Sequence, residues 1–291
     1  MKGILLAGGA GTRLHPLTLA MSKQLLPVYD KPMVYYPLST LMLAGIRDIM
    51  IISTPQDIPL FKRLLGDGSQ FGVTFEYRTQ SSPDGIPQAF LIAADWLDGS
   101  PCALALGDNL IFADHLSAIL KQATQRTIGA TVFAYQVRDP ERYGVITFDT
   151  EGRALDIIEK PADPASNWAV TGLYFYDHRV LEFSRKLRPS ARGELEITDL
   201  NRMYLEEGNL QVERLGRGCA WLDAGLPDSL LEASAFVHTI QARQGILVGS
   251  PTEVAYRMGF ISRQQLIEQA QNIGKTELGR VLMDLSLRDR S

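Results

Sequence analysis

Short apolar runs alternate with helix-length amphipathic stretches through the first half of this 291-residue chain. The alternation predicts strands and helices in turn, which is the pattern of a mainly parallel sheet with helices on both faces. In such a sheet the loops that follow strand ends collect on one edge, where ligands bind. The predicted strands of this half are residues 3–6, 49–53, 73–77, 102–106 and 130–137, and the predicted helices are 33–44, 57–65, 86–96 and 116–125.

The rhythm changes after Arg142, because the next predicted strands follow one another without helices between them. Strands at 144–148, 153–159 and 169–176 favour an antiparallel addition to the sheet, with a turn at 149–154. Further strands are predicted at 210–215 and 220–223, and helices at 179–187, 196–207, 227–244, 252–258, 262–272 and 276–287. The predicted fold is therefore α/β, a Rossmann-like three-layer α/β/α arrangement around a mainly parallel mixed sheet. We expect a core at 1–240 and a helical C-terminal appendix at 241–291 packed on it.

Composition narrows the range of functions. A formal net charge of −4 argues against a general nucleic-acid binder, which usually has a basic face. Cys102 and Cys219 are the only cysteines, so a disulfide framework is not expected, and the four histidines do not have metalloprotease spacing. The start does not read as a signal peptide, and apolar stretches fall short of the roughly 18 residues of a membrane span. We expect a cytoplasmic protein with small-molecule partners and neither nucleic acid nor membrane.

Residues 5–28, "LLAGGAGTRLHPLTLAMSKQLLPV", place glycines after an apolar strand and two cations shortly after the glycines. Glycine lets backbone N–H groups approach an anion closely. The stretch lacks the Gly-Lys-Ser/Thr of a Walker A loop, and Leu14 stands where a dinucleotide fingerprint needs a small residue. A longer loop that carries Arg13 and Lys23 back over the glycines would form a phosphate cradle. The alternative is a tight turn with two solvated cations.

Carboxylates follow several apolar strands. Asp108 comes after 102–106 and Asp223 ends "AWLD", so the two would form a Mg²⁺ site if their strands meet. Asp108 could instead be a turn or N-cap aspartate. Glu159 and Lys160 lie at another strand end, and both can serve one ligand only if the strand bends there. Otherwise they form an exposed ion pair of little energetic weight.

Residues 80–89, "QSSPDGIPQA", contain a turn signal ahead of a helix. Gly85 would let the backbone approach a flat base, and Gln80 can donate and accept hydrogen bonds at a base edge. An ordinary loop would have the same composition. "ERYG" and "WAVTGLYFYD" are candidates for a continuing pocket wall, and their aromatic content is otherwise explained as core.

Together these segments resemble the sugar-1-phosphate nucleotidylyltransferases. The opening "LAGGAGTRLHPLT" and "SKQLLPVYDKPMVYYPL" follow that family's signature, and "GDN", "PERYGV", "EKP", "SNWAVTGLYFYD", "RGELEITDLN" and "AWLDAG" occur in its order. The match runs from residue 1 to about residue 240, and the later segments look like the thymidylyl branch. Three departures are Ala224 in place of a threonine, Pro87 in place of a small residue, and an unusual 109–114 loop.

The resemblance implies that a sugar-1-phosphate oxygen attacks the α-phosphorus of dTTP and releases pyrophosphate. The implied acceptor is α-D-glucose 1-phosphate, the product is dTDP-glucose and the cofactor is Mg²⁺. A UTP-dependent uridylyltransferase and a catalytically silent nucleotide-binding regulatory subunit remain alternatives. The family also implies a homotetramer and inhibition by dTDP-L-rhamnose at a second site.

The resemblance also implies roles for individual residues. Arg13 and Lys23 would hold the departing phosphates, Gln80 and Gly85 would read thymine, Glu159 would bind glucose hydroxyls and Lys160 the sugar phosphate. The implied nucleotide contacts are Gly8, Gly11, Thr12, Arg13, Lys23, Gln24, Gln80, Gly85 and Asp108; the implied sugar-phosphate contacts are Gly144, Glu159, Lys160 and Val170; the implied metal ligands are Asp108 and Asp223. Arg13, Lys23, Asp108 and Lys160 would carry the catalytic roles.

Overall fold

The computed structural model describes residues 1–9 and 11–288, so Ala10 and residues 289–291 of the predicted appendix lie outside the described residues. The strands are β1 (Lys2–Leu6), β2 (Pro27–Val28), β3 (Lys31–Pro32), β4 (Asp48–Ser53), β5 (Thr74–Thr79), β6 (Cys102–Leu106), β7 (Asn109–Phe112), β8 (Ala130–Gln136), β9 (Gly144–Phe148), β10 (Ala154–Glu159), β11 (Trp168–Tyr176), β12 (Leu210–Arg214) and β13 (Ala220–Asp223). The helices are α1 (Tyr35–Leu43), α2 (Ile58–Leu65), α3 (Gln88–Ile92), α4 (Ala94–Leu97), α5 (Leu116–Gln125), α6 (Val180–Lys186), α7 (Ile197–Glu206), α8 (Pro227–Gln244), α9 (Pro251–Arg257), α10 (Arg263–Ile273) and α11 (Glu277–Arg288).

The central sheet has nine strands, with the path β10-β9-β11-β6-β1-β4-β5 and with β8 and β12 branching from β11. Strands β5, β4, β1 and β6 run parallel, as the alternation of the first half predicts. Strands β9, β10 and β11 pair antiparallel, which confirms the predicted antiparallel addition. β12 joins β8 in parallel. The predicted mixed α/β sheet is therefore confirmed.

Successive residues of the sheet face opposite layers of helices. In β1, Ile4 packs with the core beneath α3, α4, α6 and α7, whereas Leu5 packs with the core beneath α1, α2 and α5. Because neighbouring strand side chains point to opposite faces, a strand buried on both sides reads as a continuous apolar run. This arrangement is the predicted three-layer α/β/α fold.

A two-stranded ribbon of β7 and β13 lies beside the main sheet. The prediction of a loop at 109–114 was wrong for its first four residues, because Asn109–Phe112 pairs antiparallel with Ala220–Asp223. Leu110 packs in a third core with Val28, Tyr36 and Val237, which gives this short strand a buried face. A four-residue strand offers too little alternation to be recognised without its partner.

Two predicted helical segments differ in their limits. The predicted helix 86–96 is divided at Ala93 into α3 and α4, and its first residues precede α3. Helix α8 runs continuously through the predicted 240/241 boundary, and α9–α11 contribute Val254, Leu266 and Leu282 to the same core as α1. The division into core and appendix stays a prediction.

Among the described residues, no helix combines the length and apolar character that a membrane span requires.

Candidate active site

A cleft of about 200 Å³ opens between the end of β6, the β7–β13 ribbon and strands β9–β11. It lies where the parallel strands end, which is the edge that binds ligands in open α/β sheets. The predicted site residues that line it are Arg13, Asp108, Gly144, Glu159, Lys160, Val170 and Asp223. Residues from both halves of the chain therefore share one cavity.

The β7–β13 ribbon brings the two predicted metal carboxylates together. Asn109 pairs with Asp223, and the backbone N–H of Ala224 donates to the carbonyl of Asp108 over 3.1 Å. Burial and the neighbouring charge of Asp108 raise the pKa of Asp223 to about 6. Burial alone would also raise the pKa of Asp108, but the charge and hydrogen bond of Lys23, together with the hydrogen bond from Asn109, lower it. The two strands meet, as the metal hypothesis requires.

Asn109 is held by hydrogen bonds to the ribbon and to β11, and it donates one hydrogen bond to Asp108. Its Oδ1 accepts from the Trp221 indole N–H at 2.6 Å and from the backbone N–H of Gly172 at 3.0 Å, and its Nδ2 donates to Asp108 Oδ1 at 3.1 Å. Asn109 is buried, so these bonds hold the ribbon, β11 and the carboxylate in one arrangement. Sequence reasoning missed this role; the signal was its position directly after Asp108.

Cations approach the carboxylates from both sides. Lys23, in a short 3-10 helix, donates to Asp108 Oδ2. Arg13 is exposed on the short 3-10 helix Thr12–Leu14 at the mouth of the cleft. Arg142, which sequence reasoning did not single out, bonds Asp139 at 2.6 Å and lies 3.8 Å from Asp223 Oδ2. The acidic pair is thus surrounded by groups that attract phosphates.

The glycine loop is held from within. Gln24 Nε2 donates to the carbonyl of Gly8 at 3.2 Å, and its Oε1 accepts from the Ser22 hydroxyl at 2.5 Å. Gln24 is buried and does not line the cleft. The carbonyl of Gly11 accepts from the Thr18 hydroxyl at 2.8 Å, and Thr12 is exposed. Gln24 therefore supports the loop backbone, and the predicted nucleotide contacts of Gly8, Gly11, Thr12 and Gln24 remain hypotheses.

Gln80 and Gly85 come together at the end of β5. Gln80 is buried and donates from Nε2 to the carbonyl of Gly85 at 3.3 Å. Gly85 has φ 108°, and a Cβ there would fall 2.1 Å from the carbonyl oxygen of Leu195. Glycine is required at this position because the backbone of Leu195 passes so close, which is a reason that the sequence did not reveal.

The other wall of the cleft carries Glu159 and Lys160. Lys160 has φ 41°, so the chain bends at the end of β10 and Lys160 Nζ lies 3.5 Å from Glu159 Oε1. The bend is the condition under which both side chains can serve one ligand. Glu159 Oε2 accepts from the Thr198 hydroxyl at 2.5 Å and Oε1 accepts from Arg192 at 3.2 Å. Thr198 and Arg192 were missed, because they arrive from a segment distant in the sequence.

Gly144 keeps this wall open. A Cβ on Gly144 would lie 2.8 Å from Thr198 Oγ1 and 3.5 Å from Glu159 Oε2. Any larger residue would therefore displace the groups that hold Glu159. Val170, at the start of β11, adds an apolar surface to the same wall.

The acidic pair fits a magnesium ion. Burial, and after it the charge of Asp108, raises the pKa of Asp223, and a divalent cation would favour the ionised form of both carboxylates. Mg²⁺ characteristically takes one or two carboxylates and completes its shell with water and substrate phosphates. Among the described residues, no cluster of three or more His, Cys, Asp or Glu offers a metal site made by protein alone.

Comparison with known proteins agrees with this geometry. Residues 2–240 match the family model described as nucleotidyl transferase. The chain belongs to the nucleotidyl transferase family. It is 56% identical to a glucose-1-phosphate thymidylyltransferase of Neisseria meningitidis, over 98% of this chain and 99% of that protein. It is 54% identical to the glucose-1-phosphate thymidylyltransferase of Mycobacterium tuberculosis over the same shares of the two chains.

Solved structures of similar proteins show the same fold. A Bacillus anthracis protein assigned as a glucose-1-phosphate thymidylyltransferase and crystallised with sucrose is 42% identical, with a TM-score of 0.76 over 81% of this chain and 94% of that one. A UDP-glucose pyrophosphorylase solved with UDP-glucose is 24% identical, with a TM-score of 0.70 over 82% of this chain and 98% of that one. The second likeness concerns the family fold alone.

Proposed function

We propose that this protein transfers a thymidylyl group from dTTP to α-D-glucose 1-phosphate, giving dTDP-glucose and pyrophosphate with Mg²⁺ as cofactor. The observation that carries the proposal is the β7–β13 ribbon, which brings Asp108 and Asp223 together in a cleft that also contains Glu159 and Lys160. The names of the relatives that match nearly the whole chain support the choice of nucleotide and sugar.

The sugar-phosphate side needs residues that bind and orient rather than a base. The attacking phosphate oxygen is already ionised near neutral pH, so no proton has to be removed from it. Lys160 would hold that phosphate, and Glu159, fixed by Thr198 and Arg192, would accept hydrogen bonds from glucose hydroxyls. Among the described residues that line the cleft, none is histidine or cysteine, which agrees with catalysis by positioning.

The nucleotide side needs positive charge at the departing phosphates. Asp108 and Asp223 would hold the Mg²⁺, which supplies charge neutralisation at the phosphates when it is bound. Arg13 and Lys23 would then stabilise the growing charge of the pyrophosphate. The bond between Lys23 and Asp108 and the position of Arg13 in the lining of the cleft support these two roles.

One assay tests the proposal against its alternatives. Purified full-length protein is incubated with Mg²⁺, glucose 1-phosphate and either dTTP or UTP, and pyrophosphate release and the nucleotide sugar are measured, with sugar phosphate omitted as the control for hydrolysis. We expect faster turnover with dTTP and formation of dTDP-glucose. Faster turnover with UTP would make the protein a uridylyltransferase, and no turnover with either nucleotide would favour a silent regulatory subunit.

The family resemblance leads to further proposals. We propose a homotetramer, a cytoplasmic location, inhibition by dTDP-L-rhamnose at a second site, and the division into a 1–240 core and a 241–291 appendix. Light scattering coupled to size exclusion tests the tetramer, and inhibition kinetics with the nucleotide sugar test the regulation. A monomer in solution would contradict the first of these.

A further inference from the structure

A chain of hydrogen bonds runs behind Gln80. Asp84 Oδ2 accepts from the Ser82 hydroxyl at 2.5 Å and from Gln88 Nε2 at 2.6 Å. Gln88 Oε1 in turn accepts from Gln80 Nε2 at 2.5 Å. Gln80 Nε2 also donates to the carbonyl of Gly85 at 3.3 Å. Two side-chain amides are thus linked in series to one carboxylate.

The carboxylate gives this chain a direction. An ionised Asp84 can only accept, so Gln88 must turn its amide nitrogen toward Asp84. The carbonyl oxygen of Gln88 is then left for Gln80, which must turn its own nitrogen toward Gln88. The Gly85 carbonyl favours the same orientation of Gln80, but over a longer bond of 3.3 Å against 2.5 Å to Gln88, so Gln88 is the stronger constraint. A free glutamine could present either end of its amide to a ligand. Gln80 is held with its amide nitrogen toward Gln88 and Gly85, so its carbonyl oxygen is the end that a ligand can reach.

That carbonyl oxygen faces the glycine loop. A Cβ built on Gly8 would lie 3.3 Å from Gln80 Oε1, so the oxygen stands directly over the loop proposed to receive the nucleotide. Within residues 1–9 and 11–288, no group donates a hydrogen bond to this oxygen. Gln80 is only 9% exposed, so an acceptor there that a bound base fails to satisfy is costly.

We propose that Gln88 is a positioning residue that sets base selectivity by fixing the Gln80 carbonyl oxygen toward the base. The site then favours bases that offer a ring imide N–H, such as thymine and uracil. It disfavours cytosine, whose ring nitrogen at that position is itself an acceptor. The inference rests on the proposed function, because it requires the nucleotide to lie over Gly8 and against Gln80.

The test compares dTTP with dCTP in wild type and in three variants. Gln88→Met keeps the length of the side chain but removes the relay. The double variant Asp84→Asn with Gln88→Glu reverses the first link, because the introduced asparagine amide can donate to the introduced carboxylate, which still presents an acceptor to Gln80. Gln122→Met, an exposed glutamine on α5, is the matched control. Turnover is measured with glucose 1-phosphate and Mg²⁺, and nucleotide affinity separately by calorimetry with Mg²⁺.

We expect Gln88→Met to lower the dTTP-to-dCTP ratio of kcat/KM roughly 10- to 100-fold, mainly through a higher KM for dTTP. The double variant should stay within roughly 1.5-fold of wild type, as should the control. Should Gln88→Met not fold, Asp84→Asn on the exposed loop tests the same relay, with an expected loss of roughly threefold.

Two results would overturn the inference while leaving the proposed function standing. One is an equal loss for both nucleotides in Gln88→Met, which would make Gln88 a structural residue only. The other is a double variant as unselective as Gln88→Met. A wild type that binds dTTP in preference to dCTP but does not turn it over would contradict the proposed function and leave selectivity measurable by calorimetry. A wild type that binds neither nucleotide would overturn both.

Discussion

The two walls of the cleft differ in how their carboxylates are held. On the sugar side, both oxygens of Glu159 are engaged by Thr198 and Arg192 before any ligand arrives. On the nucleotide side, Asp108 and Asp223 stand together, and the pKa of Asp223 is raised to about 6 by burial and by that neighbour. The sugar wall is therefore preorganised. On the nucleotide wall Asp108 is paired with Lys23, and Asp223, 3.8 Å from Arg142, is the carboxylate whose charge a metal ion would neutralise. We expect changes on the nucleotide side to lower kcat and changes on the sugar side to raise KM.

The largest expected effect is loss of either acidic residue. Asp108→Asn or Asp223→Asn should lower kcat by roughly 100-fold or more, the scale of one preorganised electrostatic contact. Pyrophosphate release at saturating substrates measures it. Asp95→Asn, a surface carboxylate paired with Arg78, is the matched control and should keep wild-type turnover. Near-normal kcat in both site variants would contradict the assignment of Asp108 and Asp223 as metal ligands. It would also contradict the expectation that changes on the nucleotide side lower kcat.

Arg13→Ala should lower kcat by roughly 10- to 100-fold, because a cation at the leaving group acts mainly in the transition state. Its exposed position predicts an unchanged melting temperature. Steady-state kinetics and thermal melting measure the two properties, with the exposed Arg63→Ala as control. A rise in the KM for nucleotide without any fall in kcat would show that Arg13 contributes to nucleotide binding and not to stabilisation of the transition state.

Lys160→Ala tests the sugar wall. We expect the KM for glucose 1-phosphate to rise about tenfold while kcat stays within about threefold, because a preorganised wall contributes binding to ground state and transition state alike. Lys186→Ala, whose ammonium pairs with Glu182 on an exposed helix face, is the control. An unchanged KM would reassign Lys160, and a selective fall in kcat would erase the difference between the walls.

The smallest expected effect on activity comes from a change at Asp177. This residue directly follows β11, at the end of the strand opposite to Val170. Burial would raise the pKa of Asp177, but hydrogen bonds from Arg179 at 2.9 Å and from the Gly129 backbone at 2.7 Å outweigh burial and lower it. We expect Asp177→Asn to lower the free energy of unfolding by about 2 kcal/mol at pH 7 and to leave kcat and both KM values unchanged.

The pH dependence of that loss has a definite sign. A depressed folded-state pKa contributes stability that is fully present above the unfolded value near 4 and disappears as pH falls through the folded value. The gap between wild type and Asp177→Asn should therefore narrow between pH 5 and pH 3 in urea unfolding experiments. A gap that stays constant with pH would show that the ionised carboxylate is not the stabilising form.

Periodicity alone predicted the elements that are long or buried on both faces. β1, β4 and β6 read as apolar runs and were placed correctly to within a residue. It failed at the four-residue β7, whose strand character depends on a partner more than a hundred positions away. The break at Ala93 was also missed, because the predicted helix 86–96 has helix-like periodicity throughout, whereas Ala93 has a ψ of 4° between α3 and α4.

The site was predictable where residue type and strand end coincide. Asp108, Glu159 and Lys160 follow strands and carry charge, so local reasoning found them, and the φ 41° at Lys160 supplies the bend that they require. From the sequence, the metal site could be proposed only if the strands that carry Asp108 and Asp223 meet. Pairing between distant segments leaves no local sequence signal, so that meeting could not be predicted. Arg192 and Thr198 were missed because they act on Glu159 from another segment.

The register of the β7–β13 ribbon also constrains the nucleotide side of the cleft more strictly than the sugar side. Trp221 and Asn109 are 112 residues apart, and most of the sugar wall is an excursion of the chain between them. Loop-closure entropy grows only with the logarithm of length, so doubling such an excursion costs roughly 0.6 kcal/mol. A one-residue slip of the ribbon, by contrast, would turn Asp223 to the opposite face. We therefore expect this architecture to tolerate insertions between Asn109 and Trp221 more readily than a shift in the register that pairs Asp223 with Asn109.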